Sequence, residues 1–135
     1  MILYLDTSAL VKLYVEEDGS SQISALVTSA EIVATSIVAY AEARAAFARR
    51  YREKAFSRSS YGRLKSVFNK DWKDYLILNI TGDLIQLAGD LAEKHVLRGF
   101  DAIHLASALA LRGNLSSPIV FSCFDDHLQK AYNQI

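Results

Sequence analysis

The sequence has little cysteine, little proline and no long hydrophobic run, and each scarcity excludes a class of protein. Cys123 is the only cysteine in 135 residues, so internal disulfides cannot hold the fold together. With one proline and six glycines, the chain is neither collagen-like nor of low complexity. A hydrophobic content of 51% excludes a disordered chain. We therefore expect one compact domain over residues 1–135.

The apolar segments are too short for the membrane. No stretch reaches the roughly 18 uninterrupted apolar residues of a membrane span. The apolar start has no basic leader and meets Asp6 after five residues, which is too soon for a signal peptide. We expect a cytoplasmic protein without membrane contact.

Acidic and basic residues are equal in number but occupy different parts of the chain. There are 15 Lys and Arg against 15 Asp and Glu. Between Arg44 and Lys73, ten basic residues stand against only Glu53 and Asp71, a net charge of +8. The rest of the chain holds five basic and thirteen acidic residues, a net charge of −8. This segregation predicts two surfaces, one suited to phosphates and one to cations.

Hydrophobic patterning predicts strands separated by helices. Strands are predicted for four apolar runs, at residues 2–5, 31–35, 75–80 and 118–121. Helices are predicted between them, and their expected caps and stop signal are Ser20 or Ser21, Ser36, Thr81 and Gly99. Two helices, one from the Ser36 cap to about Lys54 and one from about Ser57 to Lys73, are expected to form a protruding hairpin. Because parallel neighbouring strands need crossovers, this order predicts an α/β three-layer sandwich with a central, mainly parallel sheet.

Three acidic positions lie where a predicted strand ends or a predicted helix begins. Asp6 follows the first strand, Asp125 (with Asp126) follows the last, and Asp101 opens a helix. Ligands of open parallel sheets bind beyond the carboxyl ends of the strands. Taken singly, each aspartate is explained better as a helix cap, since a negative charge at a helix start gains about 0.3–1 kcal/mol. Taken together, they indicate a binding site.

Glu42 lacks a capping explanation because it lies inside a predicted helix. Its neighbours on that face are Val38, Ala39, Ala45 and Ala46, and none of them can pair its charge. Burying an unpaired carboxylate costs several kcal/mol, which a divalent cation would offset. The alternative is a glutamate at the rim of the helix that reaches solvent.

Four carboxylates at one end of a sheet would repel one another unless a hard cation lies among them. Mg²⁺ or Mn²⁺ fits, because both prefer oxygen ligands and need only one or two direct carboxylates. One cysteine and three histidines without a ligand spacing do not indicate zinc. We expect His104 to be structural and Cys123 to be a buried small hydrophobe.

Three segments and one helical residue carry a resemblance that spans the chain. These are Asp6–Tyr14, Leu97–Ala106, Phe124–Leu128 and Glu42. In this order they closely resemble PIN-domain ribonucleases of the VapC toxin type. The resemblance implies an α/β PIN-like domain, an acidic Mg²⁺ or Mn²⁺ pocket and endonucleolytic cleavage of RNA by a metal-activated water. Carried over by position, the catalytic and metal-binding residues are Asp6, Glu42, Asp101 and Asp125, with Ser8 as a hydroxyl neighbour.

The resemblance also implies partners. Besides the RNA substrate, they are a cognate antitoxin protein that holds the toxin inactive and a second copy of the chain in a homodimer. Family members often have Thr or Ser where this chain has Cys123. Asp125 is the expected pocket member, with Asp126 as a cap or surface group, because Leu128 follows Asp125 at the family's spacing.

The alternative is an α/β phosphotransfer or phosphatase-type module with an acidic Mg²⁺ pocket. The phosphatase pattern needs a second aspartate two residues after the first, where this chain has Ser8. No lysine follows the last predicted strand, as a receiver domain would require. A binding protein with a vestigial acidic pocket fits less well, since all four acids are present.

Overall fold

The computed structural model describes all 135 residues and contains four strands and seven helices. The strands are β1 (Ile2–Leu5), β2 (Ile32–Ser36), β3 (Leu76–Leu78) and β4 (Ile119–Ser122). The helices are α1 (Thr7–Val11), α2 (Ser20–Ser29), α3 (Val38–Arg52), α4 (Arg58–Trp72), α5 (Gly82–His95), α6 (Gly99–Asn114) and α7 (Asp126–Asn133). None of the helices combines the length and the apolar composition needed to cross a membrane.

The strands form one parallel sheet in the order β3-β2-β1-β4. Strand β1 lies between β2 and β4, and Ile2 is in register with both Ile32 and Ile119. The predicted α/β sandwich with a mainly parallel sheet is therefore confirmed. Because all four strands run the same way, their carboxyl ends lie along one edge of the sheet, where Asp6 follows β1.

Side chains of β1 alternate between two apolar layers, as a strand covered on both faces requires. Ile2 and Tyr4 enter the cluster formed with α5, α6 and α7. Leu3 and Leu5 enter the cluster formed with α1, α3 and α4. All four are buried. The sheet therefore separates two helical layers, and β1 is fixed from both sides.

Helices α3 and α4 form the predicted hairpin. Phe47 of α3 and Phe68 of α4 are fully buried and meet edge to face, with ring centroids 5.2 Å apart. Further along the hairpin, Tyr51 stacks on Tyr61 at 4.5 Å. Ser57 caps α4 by accepting a hydrogen bond from the Ser60 amide. With the aromatic rings between the helices, the basic residues are left to the outer surface.

The predicted stop signal at Gly99 is wrong. Helix α5 ends earlier, where Val96 adopts a left-handed conformation with φ of 54°. The Leu97 amide can then donate to the Ala92 carbonyl at 3.0 Å, closing the helix end. Leu97 packs against the core as a result, while Gly99 is the first residue of α6.

The predicted cap of α2 at Ser20 or Ser21 is also wrong. Gly19, with φ of 94°, is the N-cap, a conformation that glycine adopts without strain. Ser20 instead points inward and donates to the Val15 carbonyl. Thr81 caps α5 as predicted, and the Ser36 hydroxyl accepts from the Val38 amide although Ile37 is the formal N-cap.

Candidate active site at the carboxyl edge of the sheet

Asp6 lies at the end of β1 and caps α1. Its Oδ1 accepts hydrogen bonds from the Ala9 amide at 2.9 Å and from the Ser8 hydroxyl at 2.7 Å. The residue is only 4% exposed, yet it lines a cavity at the edge of the sheet. Because both hydrogen bonds go to Oδ1, the other carboxylate oxygen is left to face the cavity.

The charge of Asp6 is held in an unfavourable environment. Burial raises the pKa of Asp6 above its ordinary value, and the nearby charge of Asp101 adds to the rise. The hydrogen bonds from Ala9 and Ser8 and the proximity of His104 oppose the rise without cancelling it. A cation in the cavity would stabilise the ionised form of Asp6 and lower its pKa.

Glu42 has partners that its own helix does not supply. The Thr7 hydroxyl donates to Glu42 Oε1 at 2.5 Å, and His104 Nε2 lies 3.1 Å from the same oxygen. Burial works against the charge, but the hydrogen bonds from His104 and Thr7 outweigh it and hold the pKa of Glu42 below its ordinary value. These partners lie 62 and 35 residues away in the chain, so no local pattern could have identified them.

His104 is buried, with 2% exposure, in agreement with a structural role. Its contacts, however, were not predicted from the sequence. The ring joins Tyr4, whose hydroxyl lies 2.8 Å from Nδ1, to Glu42 on the side of Nε2. The sequence feature that drew attention to His104 was its position three residues after Asp101, on a helix face otherwise formed by alanine and leucine.

Asp101 and Asp125 are joined by one arginine. Asp101 lies in the first turn of α6, with a side chain 20% exposed, and its Oδ2 accepts from Arg98 Nε at 3.2 Å. Arg98 Nη2 is also 3.9 Å from Oδ2 of Asp125. Asp125 is the N-cap of α7, because its Oδ1 accepts from the Leu128 amide at 2.9 Å. One oxygen of Asp125 thus caps α7 and the other lies toward Arg98, while Asp126 is exposed, in agreement with a surface group and not with a cap.

The pKa of Cys123 is affected by several of these carboxylates. Its thiol is half-buried and donates to the Asp125 carbonyl at 3.4 Å. Burial is the main cause that raises the pKa of Cys123 to about 12, and the charges of Asp6, Asp125 and Asp101 add to it. Cys123 packs against the apolar core as expected of a small hydrophobe, but it is only partly buried.

Two cavities meet at the acidic residues. The first, of about 320 Å³, is lined by Asp6, Glu42 and Asp101, and its lining also includes Lys12, Arg49 and Arg50. The second, of about 550 Å³, shares Glu42 and Asp101 and includes Arg98, Phe100 and Ile103. We call the first the acidic cavity. Its carboxylates form a floor, and its three cations form a basic rim.

The basic rim is partly fixed by Glu17. Lys12 Nζ lies 2.9 Å and Arg50 Nη1 3.0 Å from the carboxylate of Glu17. Arg49 makes no ion pair and is exposed. One rim cation is therefore free to meet an anion in the cavity.

The donors on the floor fit a hard cation better than a soft one. No three acidic, histidine or cysteine side chains lie close enough to enclose a metal ion by themselves. Mg²⁺ keeps several waters and binds through one or two carboxylates, so it does not require such an enclosure. Asp6, with its oxygen facing the cavity, and the neighbouring Asp101 suit this kind of binding.

Comparison with known proteins agrees with the fold. The family model described as PIN domain matches residues 3–133. The chain is 40% identical over 114 residues to two curated proteins of Mycobacterium tuberculosis, Ribonuclease VapC45 and Ribonuclease VapC49, covering 82% of this chain and 76% of each relative.

Three solved structures resemble the chain along most of its length. VapC20 of Mycobacterium tuberculosis, described as a sarcin-ricin-loop-cleaving toxin, has a TM-score of 0.66 at 16% identity, over 96% of this chain and 94% of that one. FitAcB of Neisseria gonorrhoeae has a TM-score of 0.67 at 17% identity, over 98% and 94%. A toxin–antitoxin complex from Klebsiella pneumoniae has a TM-score of 0.60 at 21% identity, over 82% and 80%. At these identities the likeness establishes the fold.

Proposed function

The chain belongs to the PIN domain family, and from this premise we propose that it is an endoribonuclease that depends on Mg²⁺ or Mn²⁺. One observation carries the proposal: Asp6, Glu42 and Asp101 share a single cavity with Arg49 and Arg50. An acidic floor suits a divalent cation, and a basic rim suits the phosphates of RNA. The names of the two ribonuclease relatives support the same activity.

In this proposal Asp6 and Asp101 hold the ion directly or through water, while Glu42 and Asp125 orient its waters or hold a second ion. When bound, the ion withdraws charge from the phosphodiester and lowers the pKa of an attacking water. The Ala9 amide and the Ser8 hydroxyl fix the carboxylate of Asp6. Arg49 and Arg50 attract the RNA backbone to the rim. The proposal is supported by the presence of Asp6, Glu42 and Asp101 in the lining of the acidic cavity and by the link from Asp101 to Asp125 through Arg98.

We further propose that the chain is the toxin of a toxin–antitoxin pair and works in the cytoplasm. The similar structure from Klebsiella pneumoniae, which is a toxin–antitoxin complex, supports this role. The partners of the chain would be an antitoxin protein and a second copy of the chain in a homodimer. The net charge of +8 between Arg44 and Lys73 suits an acidic segment of the antitoxin as well as RNA.

Cleavage of structured RNA tests the activity. The wild type should cut in Mg²⁺ or Mn²⁺ and stop in EDTA. Asp6→Asn keeps the shape of the side chain but removes its charge, and should lower the rate at least about 100-fold, the upper end of what a residue in contact with a metal ligand costs. Asp126→Asn, at an exposed position outside the cavity, is the matched control and should cut like the wild type. Equal cleavage by Asp6→Asn, or cleavage in EDTA, would refute the mechanism.

Growth of a host cell tests the toxin role. Expression of the wild type alone should arrest growth, whereas expression of Asp6→Asn to the same level should not. Harmless expression of an active wild-type enzyme would argue against a toxin. Hydrolysis of a small phosphomonoester but not of RNA would instead favour the phosphatase-type alternative.

A further inference from the structure

We infer that His104 is a positioning residue: held by Tyr4, it fixes the carboxylate of Glu42 on the floor of the acidic cavity. The inference rests on the proposed function of that cavity and adds a residue to it. His104 itself is not placed to bind a metal ion, because both ring nitrogens already have hydrogen-bond partners: Glu42 at Nε2 and Tyr4 at Nδ1.

The contacts form a continuous chain from the core to the cavity. The Tyr4 hydroxyl lies 2.8 Å from His104 Nδ1, and His104 Nε2 lies 3.1 Å from Glu42 Oε1. Tyr4 is fully buried and His104 is 2% exposed, whereas the Glu42 side chain is 28% exposed. The rigid groups lie inside and the group they hold faces the cavity.

The partners of the ring determine which nitrogen carries the proton. Nε2 faces two oxygens, Glu42 Oε1 and Thr7 Oγ1, both at 3.1 Å. Thr7 already donates its only proton to Glu42, so both oxygens act as acceptors toward the ring. Nε2 must therefore carry a hydrogen and donate it. In the neutral ring Nδ1 then accepts from the Tyr4 hydroxyl, 2.8 Å away, since a phenol keeps its proton at neutral pH.

This arrangement leaves Glu42 little freedom. Thr7 and His104 both donate to Oε1, so one oxygen is fixed and the other faces the cavity. An unrestrained glutamate would sample several rotamers and would lose side-chain entropy on binding an ion. Holding it in advance removes that cost, as do the hydrogen-bond partners that orient metal ligands in other proteins.

The same contacts link the three elements that carry the carboxylates. Strand β1 supplies Tyr4 and, two residues later, Asp6. Helix α6 supplies Asp101 and, one turn later on the same face, His104. Through His104, both elements reach Glu42 on α3. The ring therefore helps to set the spacing of the three acids as well as the orientation of one.

Two substitutions at His104 separate a hydrogen bond from a packing effect. His104→Leu fills much of the space but has no donor, whereas His104→Gln can place an amide N–H near the position of Nε2. Phe121→Leu is the control, because Phe121 stacks on Tyr4 at 5.6 Å and takes no part in the chain of hydrogen bonds. The three full-length variants and the wild type are compared for kcat and KM on RNA, Mn²⁺ affinity by electron paramagnetic resonance, and melting temperature.

We expect His104→Leu to lower kcat by about 10- to 100-fold and to weaken Mn²⁺ binding in the same direction, the effect of losing a partner of a metal-site carboxylate. KM for RNA should stay near the wild-type value. His104→Gln should recover most of both losses. Phe121→Leu should lower the melting temperature while leaving kcat and Mn²⁺ affinity unchanged.

Three results would overturn the inference: wild-type kcat and Mn²⁺ affinity in His104→Leu, no recovery in His104→Gln, or equal losses in Phe121→Leu. If His104→Leu does not fold, Tyr4→Phe decides, since it removes one oxygen and should give a smaller fall in kcat and Mn²⁺ affinity; no fall refutes the inference. A wild type that binds Mn²⁺ without cutting RNA refutes the proposed function alone, and the variants' Mn²⁺ affinities still decide the role of His104. A wild type that neither binds Mn²⁺ nor cuts RNA refutes both.

Discussion

The floor and the basic rim of the acidic cavity carry opposite charges, and their side chains are restrained to different degrees. On the floor, Asp6 and Glu42 are fixed by short hydrogen bonds from buried or half-buried groups. On the rim, Arg49 is exposed and unpaired, and Arg50 is held only by ion pairs near the surface. Fixed groups suit chemistry that depends on geometry, whereas exposed cations attract phosphates over a distance and are screened by salt. In the proposed function, the floor therefore serves catalysis and the rim serves affinity for RNA.

The floor itself contains a second contrast. Burial raises the pKa of Asp6, while hydrogen bonds from His104 and Thr7 overcome burial and lower the pKa of Glu42. The difference lies first in burial, since Asp6 is 4% exposed and the Glu42 side chain 28%, and then in the partners, since Glu42 accepts from His104 and Thr7 while Asp6 has Asp101 as a like-charged neighbour. Asp6 is therefore the carboxylate that gains most from a bound cation.

Among the substitutions that test this contrast, the largest effect on turnover is expected at Asp125, beside the floor, and not at the adjacent Asp126. Asp125→Asn should lower turnover about 10- to 100-fold if Asp125 helps to hold the waters of the ion. Asparagine is a good N-cap, so α7 should keep its hydrogen bond to the Leu128 amide and the melting temperature should hold. Asp126→Asn is the control, with an expected change under about two-fold. Steady-state cleavage rates check the order, and the reverse order would move the site to Asp126.

A smaller effect is expected at the rim. Arg49→Gln with Arg50→Gln should weaken RNA binding about ten-fold at low salt and make the salt dependence shallower by about 1.4 to 1.8 units of log–log slope, because fewer counterions are released. Arg52→Gln with Arg58→Gln removes the same charge at exposed positions outside the cavity. Titrations of inactive Asp6→Asn protein with RNA, at several salt concentrations, compare the two pairs. Equal losses would make the hairpin a general phosphate attractor instead of a rim for the cavity.

The smallest effects concern stability, and they have opposite signs at Asp6 and Glu42. Ionised Asp6 costs stability at neutral pH, because its folded pKa is raised; the cost is absent below the ordinary aspartate range of about 4. In EDTA, Asp6→Asn should therefore stabilise the protein at pH 7 by about 0.5–2 kcal/mol, the range of typical stabilising changes. The gain should vanish in acid.

Glu42 should behave in the reverse way. Its lowered pKa means that the ionised form contributes stability above the ordinary glutamate range, and this contribution is lost as the pH falls through the folded pKa. Glu42→Gln should destabilise at pH 7, and the difference should shrink in acid. Denaturant unfolding from pH 3 to pH 7 measures both variants. Changes of the same sign at both residues would contradict the contrast between the two carboxylates.

The sequence was sufficient to predict the sheet and the positions of Asp6, Asp101 and Asp125 near strand ends or helix starts, because these signals are local. Short apolar runs mark β1 and β4; Asp6 follows β1 directly, and Asp125 comes shortly after β4, at the N-terminus of α7. A parallel sheet then brings such positions to one edge, whatever lies between them in the chain. The partners of Glu42 could not be predicted, because Thr7 and His104 come from other elements and meet it only in the folded protein.

Predictions from local sequence signals, such as a helix stop, were wrong where tertiary packing favoured another conformation. Gly99 has the composition of a helix stop, yet α5 stops at Val96, a β-branched residue that disfavours positive φ. Closing the helix there lets Leu97 pack against the core. This contact of a partly buried leucine comes from the tertiary structure and leaves no local signal in the sequence.

The position of β1 in the sheet has a consequence for how the protein is made. The central strand is synthesised first, but its neighbour β4 comes last, and Ser8 receives a hydrogen bond from the Phe124 amide, 116 residues further along. A chain still growing on the ribosome has no β4 to place beside β1, so the edge that carries Asp6 stays open on that side. For a protein that we propose cuts RNA, this order of strands means that the edge carrying Asp6 is closed on its β4 side only after helices α1 to α6 have been synthesised.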